Sequence, residues 1–337
     1  MSVYPSLPTN PTILDWAGML DPNGNLASLA EMMNQTNSVL DDMTWQEGNL
    51  PTGHKFAIRT GLPEPTWRRF YQGVQPTKSS RTQVSISTGM LEDYSEVDKA
   101  LADLNGNSAT WRLSEDRAHI EGITQKLSRY VWYGNEGTEP EAITGFAPHF
   151  NSKSAGTGDQ IIDAGGTGTD NASIWLIGWS PSTVFGVFPK GSRAGLQVED
   201  KGQVTAIAKT IDGVTDGYYE AYRTHYRQDA GLCIADWRYV VRIANIDRSA
   251  LLKDPGTSDV RLYDLMADAM DMVPSLEGAR FAFYADRTIF GTLRSQINNA
   301  KNVSLTTAQV GGKRVESFLD IPLRRQSALR VDEARVV

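Results

Sequence analysis

Residues 109–133 read ATWRLSEDRAHIEGITQKLSRYVWY and contain the clearest helical pattern in the chain. Apolar residues recur there at helical spacing, which places them on one face of a helix. These residues are Ile120, Ile123, Leu127 and Tyr130/Val131. Acidic residues come early and basic residues late, as the helix dipole favours, and Gly134 follows as a natural terminating residue. The pattern predicts a long spine helix over residues 109–133.

The segment in front of this helix, residues 44–91, has two strand fragments, at 57–59 and 84–86. Between them lie several residues that interrupt regular structure: Gly61, Pro63, Pro65, Gly73 and Pro76. A structureless loop of this length is unusual inside a compact domain. We therefore expect an extended loop that reaches away from the body and becomes ordered against a neighbouring molecule.

The extended loop and the segment that follows it carry opposite charge. Residues 51–85 have six basic residues and one acidic residue (6 − 1 = +5), and residues 92–103 have one basic and five acidic residues (1 − 5 = −4). Opposite charges on identical subunits steer association and fix its register. The expected inter-subunit contact residues of the loop are Arg59, Trp67, Arg68, Arg69, Phe70 and Lys78. The expected acidic partner surface is Glu92, Asp93, Glu96 and Asp98. The alternative is that both segments are solvated faces.

The rest of the chain predicts a mixture of helices and strands without internal repeats, which is the α+β class. Residues 1–25 read as an irregular arm, and a helix is predicted over 26–43. Strands are predicted at 174–179, 183–188, 218–226, 237–243, 280–284, 315–323 and 328–331, the first two as a hairpin. Further helices are predicted at 258–273, capped by Ser258, and after a cap at Thr288.

Composition argues against several classes of protein. The 337 residues carry a net charge of −7, whereas a chain whose task is to grip nucleic acid is usually basic. Cys233 is the only cysteine, so neither an intrachain disulfide nor a thiolate-rich zinc site can form. No apolar stretch approaches 18 residues, and the N-terminus lacks the pattern of a signal peptide. We expect a chain that stays in a bacterial cytoplasm and does not enter a membrane.

Residues that could carry catalysis are scattered along the sequence. The four histidines lack the spacing of a metal-ligand pair; they are His54, His119, His149 and His225. Cys233 lies in an apolar strand without a basic neighbour in sequence that would lower its pKa. Trp175, Trp179 and Trp237 fall in predicted strands, where they fill a core. The sequence predicts no catalytic, cofactor or metal site, and a sugar-binding or carbohydrate-active β-rich protein is the distant alternative.

Several segments of the chain resemble capsid proteins of tailed bacteriophages. They are NQTN at 34–37, WQEGNLPTGH at 45–54, GVQPTKS at 73–79, DAGGTG at 163–168, FPKGS at 188–192, DWRYVVRIAN at 236–245 and IPLRR at 321–325. In this order they resemble the major capsid proteins of the Hong Kong 97-type fold, and most closely those of the short-tailed, epsilon-15-like phages. The resemblance covers essentially the whole chain.

This resemblance implies a division of the chain into five segments. They are an N-terminal arm and helix (1–43), the extended loop (44–91), a peripheral domain with the spine helix (92–170), a mainly axial domain (171–310) and C-terminal strands that return to the peripheral domain (311–337). The extended loop is expected to lie over a neighbouring subunit. The axial domain is expected to line the hexamer and pentamer axes.

The implied function is self-assembly of hexamers and pentamers into an icosahedral shell that encloses phage double-stranded DNA. The expected partners are further copies of the chain, a separate scaffolding protein and a portal, with a cement protein as an open alternative. Contact with the packaged DNA is expected to be non-specific. The expected location is the virion capsid, after assembly in the host bacterial cytoplasm. An encapsulin-like nanocompartment shell, which has the same fold and holds protein cargo, is the nearer alternative.

Overall fold

The computed structural model describes residues 35–103, 108–208, 217–253, 260–300, 305–310 and 313–337. Within these residues the chain divides into two compact units. The larger unit consists of Thr36–Gly89, Ser128–Ala194 and Asp229–Val337, and the smaller unit of Gln35, Met90–Leu127 and Gly195–Gln228. The predicted N-terminal arm and most of the helix predicted at 26–43 lie outside the described residues.

Helices and strands are mixed along the chain, as the α+β class predicts. The helices are α1 (Val39–Asp42), α2 (Lys99–Ala102), α3 (Ser108–Tyr133), α4 (Phe146–His149), α5 (Arg248–Lys253), α6 (Leu262–Asp271) and α7 (Arg287–Ala300). The strands are β1 (Trp45–Glu47), β2 (Gly53–Gly61), β3 (Ser80–Ser87), β4 (Gly89–Asp98), β5 (Ile161–Asp163), β6 (Asn171–Trp179), β7 (Val184–Phe188), β8 (Gln197–Ala208), β9 (Gly217–Ile234), β10 (Val240–Asp247), β11 (Arg280–Ala285), β12 (Leu305–Val310), β13 (Lys313–Phe318) and β14 (Ile321–Arg325).

The predicted spine helix is confirmed, because α3 begins and ends within one residue of the predicted bounds. Its apolar stripe is buried at Ile123, Leu127 and Val131, while Ile120 stays 36% exposed. Gly134 ends the helix, and its N–H donates to the Tyr130 carbonyl oxygen. A side chain at 134 would place its Cβ 2.3 Å from the carbonyl oxygen of Ile143. The glycine is therefore required by close packing of the backbone.

The core of the larger unit is built around β6, in which all nine residues are buried. Strands β10 and β11 pair with β6 in antiparallel orientation, one on each edge. The apolar run that forms β6 suits a strand that is covered on both faces. Helices α6 and α7 supply part of that cover, since Leu262, Met266 and Leu293 belong to the same buried cluster as Ile174.

A cluster of aromatic rings joins the last turn of α3 to this core. The ring centroid of Trp132 lies 5.8 Å from that of Trp175, 5.3 Å from that of Phe146 and 5.5 Å from that of Tyr284. Each such pair contributes about 0.5–1.5 kcal/mol beyond the burial of its surface. The tilted packing therefore fixes the position of the last helical turn on the sheet.

One ion pair is buried beside these rings. The guanidinium of Arg242 on β10 lies 2.8 Å from Glu333 Oε2, and both side chains are 5% exposed. Arg242 also donates to the Phe150 carbonyl oxygen at 2.7 Å and lies 5.0 Å from the ring centroid of Trp175. The Tyr133 hydroxyl donates a hydrogen bond to Glu333. Burial, together with the charge of Glu333, raises the pKa of Tyr133 well above its ordinary value. The network holds the C-terminal segment against β6, β10 and the end of α3.

The smaller unit contains strands β4 and β8, the first part of β9 and the first five turns of α3. Strand β9 pairs with β8 in antiparallel register, from Gln197 opposite Arg227 to Ala208 opposite Gly217, and β4 lies next to β9 in strand order. Val97 and Leu101 form a small buried cluster against half-buried Tyr222. The strand predicted at 218–226 is confirmed, and it continues to Ile234.

The predicted hairpin between residues 174–179 and 183–188 is wrong. Strands β6 and β7 meet at one residue pair, Trp179 and Val184, and run parallel. Both edges of β6 are occupied by β10 and β11. Strand β7 therefore takes other neighbours, β9 in antiparallel and β1 in parallel orientation.

Three other predicted strands differ from the structure. Residues 315–323 form parts of two strands, because Leu319 and Asp320 adopt φ of 45° and 68° in a tight turn that reverses the chain. Two positive φ values are typical of the turn that connects adjacent antiparallel strands. Residues 237–239 form a 3-10 turn ahead of β10, which begins at Val240. Residues 328–331 are not a strand.

The predicted helix starts also need correction. Helix α6 begins at Leu262, and the predicted cap Ser258 lies outside the described residues. Helix α7 is capped by Asp286 and not by Thr288, since the Asp286 carboxylate accepts the N–H of Thr288 at 2.9 Å. Over the described residues 35–43, the chain does not form the single continuous helix that was predicted at 26–43. Asn37 instead forms an isolated bridge with Gln326 before the four-residue α1.

We predict that Glu333→Gln strongly destabilises the chain, because it leaves the Arg242 guanidinium buried without a counter-charge. Removing one partner of a buried ion pair costs about 3–5 kcal/mol of unfolding free energy. Chemical denaturation followed by circular dichroism measures this change. The control is Asp264→Asn, which removes an exposed pair with Arg261 at 3.9 Å and is expected to cost less than about 1 kcal/mol. Equal losses in the two variants would contradict the prediction.

We also predict that the Cys233 thiol does not react in the native chain. Cys233 is fully buried beside Phe185 and Val187, and burial raises the pKa of its thiol to about 12. Only the thiolate attacks disulfide reagents, so a colorimetric disulfide reagent at pH 8 is expected to label the chain only after unfolding in guanidinium. Labelling of the native chain at the rate of a free thiol would show that the strand opens readily.

Candidate functional site

The predicted extended loop is a two-stranded hairpin whose base is packed against the larger unit. Strands β2 and β3 pair from Gly53 opposite Ser87 to Gly61 opposite Ser80. At the base, Phe56 and Ile86 pack against the buried cluster that contains Phe185. The side chain of Asn49 accepts the N–H of Lys55 at 2.8 Å and donates to its carbonyl oxygen at 2.6 Å. The base is therefore fixed to the core.

The residues between the strands, 62–79, form no regular structure and are almost all exposed. Trp67 is 102% exposed, Phe70 93% and Tyr71 105%. We call residues 62–79 the tip loop. Large apolar side chains that are exposed next to each other mark an interaction surface in soluble proteins. The tip loop thus has the surface of a binding segment rather than of a solvated turn.

The six contact residues predicted from the sequence all lie on this hairpin. Trp67, Arg68, Arg69 and Phe70 are consecutive in the tip loop, Lys78 lies near its end, and Arg59 lies on β2. The four cations among them are exposed, and none forms an ion pair within the part of the chain that the structure describes. These charges are therefore free to meet another molecule.

The four predicted acidic residues lie together in the smaller unit, on β4. Three of them face partners in the same unit: Asp93 Oδ2 lies 2.6 Å from His119 Nδ1, Glu92 lies 3.6 Å from His225, and Glu96 accepts from Arg223 Nε at 2.8 Å. Asp98 caps α2 by accepting the N–H of Ala100 at 2.8 Å. The charges of Glu92 and Glu96 are therefore offset by Arg227 and Arg223 of the same unit.

Sequence reasoning missed the basic residues that face this acidic row. Arg223, His225 and Arg227 alternate on β9 at intervals of two, which places them on one face of the strand. The same period within the strand predicted at 218–226 could have identified Arg223 and His225, whereas Arg227 lies one residue beyond its predicted end. Glu92 and Glu96 thus face a basic row in their own unit, while Asp93 pairs with His119 on α3. The assignment of these acids to a partner surface stays a prediction.

The described residues contain no group of three or more histidine, cysteine or acidic side chains that could hold a metal ion. Trp175 and Trp179 are buried in β6, as predicted, so neither can stack on a sugar. Trp237 is half-buried at the 3-10 turn before β10, so the prediction that it fills the core from a strand is wrong. Among the described helices, none is long and apolar enough to cross a membrane.

Comparison with known proteins identifies the family. The family model of the major capsid protein GP7 matches residues 21–337. The solved structure of bacteriophage epsilon15 is similar, with 36% sequence identity, a TM-score of 0.78 and 98% of each chain covered. The search of curated proteins finds no match.

Two further solved structures are similar at a lower level. The bacteriophage JBD30 capsid has 7% identity and a TM-score of 0.47, with 88% of this chain and 93% of that chain covered. The SrpI encapsulin complex of Synechococcus elongatus PCC 7942 has 7% identity and a TM-score of 0.44, with 66% and 92% covered.

The resemblance to epsilon-15-like capsid proteins that the sequence indicated is confirmed. This family is structural and is not a family of enzymes. The chain belongs to the major capsid protein GP7 family, with a fold of the Hong Kong 97 type, and its place is the virion capsid of a bacteriophage.

Proposed function

We propose that the chain assembles as hexamers and pentamers into an icosahedral shell that encloses phage double-stranded DNA. This proposal rests on the tip loop. The tip loop presents exposed aromatic rings and unpaired arginines at the end of a hairpin whose base is fixed to the core. Such a surface is stabilised when a neighbour removes it from water. A loop that covers a different surface of the next copy makes a heterologous contact, and heterologous contacts close into rings when the rotation permits.

The five-segment division gives each part a role in this assembly. The peripheral domain at 92–170 carries the spine helix, the axial domain within 171–310 lines the rings, and the strands at 311–337 return to the peripheral domain. The acidic row on β4 is proposed as a second contact surface, in addition to its pairing with β9. The acids in this row that are not paired with arginines of β9 would attract a basic surface of another copy.

The further partners follow from the same proposal. The expected partners are a separate scaffolding protein and a portal, and a cement protein is a further candidate. Assembly is expected in the host bacterial cytoplasm. Contact with packaged DNA is proposed to use scattered lysines and arginines on phosphates, which read no base sequence. The net charge of −7 keeps that contact weak, so the DNA can be packed without adhering to the shell.

The first test removes the tip loop. We predict that replacing residues 62–79 with an Asn-Gly turn leaves a folded, soluble chain that forms no closed shells. The paired strands and the packed base are retained, so the thermal unfolding midpoint is expected to stay within a few degrees of the wild type. Sedimentation and negative-stain electron microscopy, with and without a scaffolding protein, measure assembly. Normal shells from this variant would refute the role of the loop.

The second test reverses the charge of the loop. We predict that Arg68→Glu with Arg69→Glu raises the subunit concentration needed for assembly on the order of tenfold at low salt, with a smaller increase at high salt, because salt screens exposed charges. Light scattering over a series of subunit concentrations measures this threshold. The matched control, Arg68→Lys with Arg69→Lys, keeps the charge and is expected to assemble nearly as the wild type. The same threshold for all three proteins at every salt concentration would exclude electrostatic docking.

A further inference from the structure

A cavity of about 250 Å³ lies at the base of the hairpin in the larger unit. Its walls include Ser85 and Ile86 of β3, Ile234 of β9, Thr144 and Trp237. A cavity of about 150 Å³ in another protein is large enough to hold benzene. This cavity therefore has room for one large aromatic side chain, with hydroxyl groups at its wall that can accept an indole N–H.

An acidic segment, NEGTEPE at 135–141, borders the cavity. It has three glutamates and no basic residue, and all seven residues are exposed. Glu136 lines the cavity and accepts from the Ser87 hydroxyl at 2.7 Å, and Glu139 accepts from the Tyr130 hydroxyl. Across the residues that the structure describes, Glu136, Glu139 and Glu141 form no ion pair. In this respect they differ from the acids of β4.

The tip loop has the complementary chemistry. It carries Trp67 next to Arg68 and Arg69, with a net charge of +2 from Arg68, Arg69, Lys78 and Glu64 (3 − 1). The carboxylate of Glu136 lies at the cavity wall, and Glu139 and Glu141 follow it in the same exposed segment. A cavity of aromatic size beside an acidic segment matches an aromatic residue followed by two arginines. The half-buried indole of Trp237 adds a ring face on which a guanidinium can lie.

The loop of the same chain does not occupy this cavity. Strand β3 runs from the cavity wall at Ser87 to the tip loop at Ser80, which is seven steps of about 3.3 Å, or about 23 Å. Trp67 is 102% exposed in the isolated chain. A tip loop that enters this cavity would therefore come from a different copy.

We propose that the cavity receives Trp67 from a second copy of the chain, with Arg68 and Arg69 of that copy over the glutamates of the acidic segment. This inference rests on the proposed assembly function and identifies the receiving site for its loop. His149, which also lines the cavity, adds no positive charge at neutral pH, because desolvation lowers the pKa of its imidazole. Burial of the indole would anchor the contact, and the charge pairs would set its direction.

A charge exchange tests this site. The triple variant Glu136→Lys, Glu139→Lys and Glu141→Lys is expected to reduce the yield of closed shells at least about tenfold. Combining it with Arg68→Glu and Arg69→Glu is expected to restore shells. The control triple Asp268→Lys, Asp271→Lys and Glu277→Lys changes the net charge equally at exposed acids elsewhere in the larger unit, and Arg68→Glu with Arg69→Glu is not expected to improve its assembly.

A cross-linking experiment provides an independent measurement if the triple variant does not fold. Thr66→Cys and Ser85→Cys retain Trp67 and place one thiol beside it and one at the cavity wall. Cys233 is buried and does not compete for the reagent. In assembled shells, a short bis-maleimide is expected to produce a ladder of linked chains on a denaturing gel, and neither single variant is expected to do so.

The outcomes separate the docking site from the proposed function. If removal of the tip loop abolishes shells but the glutamate triple variant assembles as the wild type and no ladder forms, the cavity is not the receiving site. If the chain without its tip loop still forms shells, the proposed role of the loop itself is wrong. Shells restored by the charge exchange, together with a ladder of cross-linked chains, would support both the docking site and the role of the loop.

Discussion

The ion pair between Arg242 and Glu333 is the constraint on which the larger unit depends. Both groups are almost completely withdrawn from water, and an ion in such surroundings is tolerated only when it is paired and its remaining hydrogen bonds are satisfied. The guanidinium meets this condition with the Phe150 carbonyl oxygen and the Ser173 hydroxyl. Its partners come from segments that are far apart in sequence, so satisfying one charge requires the β10 strand, the β6 strand and the C-terminal segment to be in place together.

The stability of this core does not depend on the exposed part of the hairpin. The base of the hairpin rests on a buried cluster, and the end of the spine helix is held by Trp132 among three other aromatic rings. The tip loop contributes almost nothing to that core, because its side chains are in solvent. The buried core and the proposed association surface thus consist of different residues, so changes in the tip loop are expected to leave the body of the chain folded.

The sequence was most informative where one local signal dominated. The spine helix was predicted well because apolar spacing acts over short distances, and the density of proline and glycine indicated the irregular segment between β2 and β3. Strand pairing was predicted poorly, since β6 chooses β10 and β11 over its sequence neighbour β7 for reasons of tertiary packing. The pairing of Glu92 and Glu96 with the basic row and the cavity beside Glu136 were likewise missed, because each joins residues that lie far apart along the chain. Segment-by-segment reading cannot bring such residues together.

The position of Glu333 also bears on the order of events during synthesis. A nascent chain that has not been extended past this residue holds Arg242 without its counter-ion, and the core of the larger unit cannot close at an acceptable cost. Incomplete chains are therefore left with exposed core surface, which directs them to chaperones and proteases. One buried charge would thus act as a check on completeness during synthesis. A subunit truncated before Glu333 would fail at folding, ahead of any association between copies of the chain.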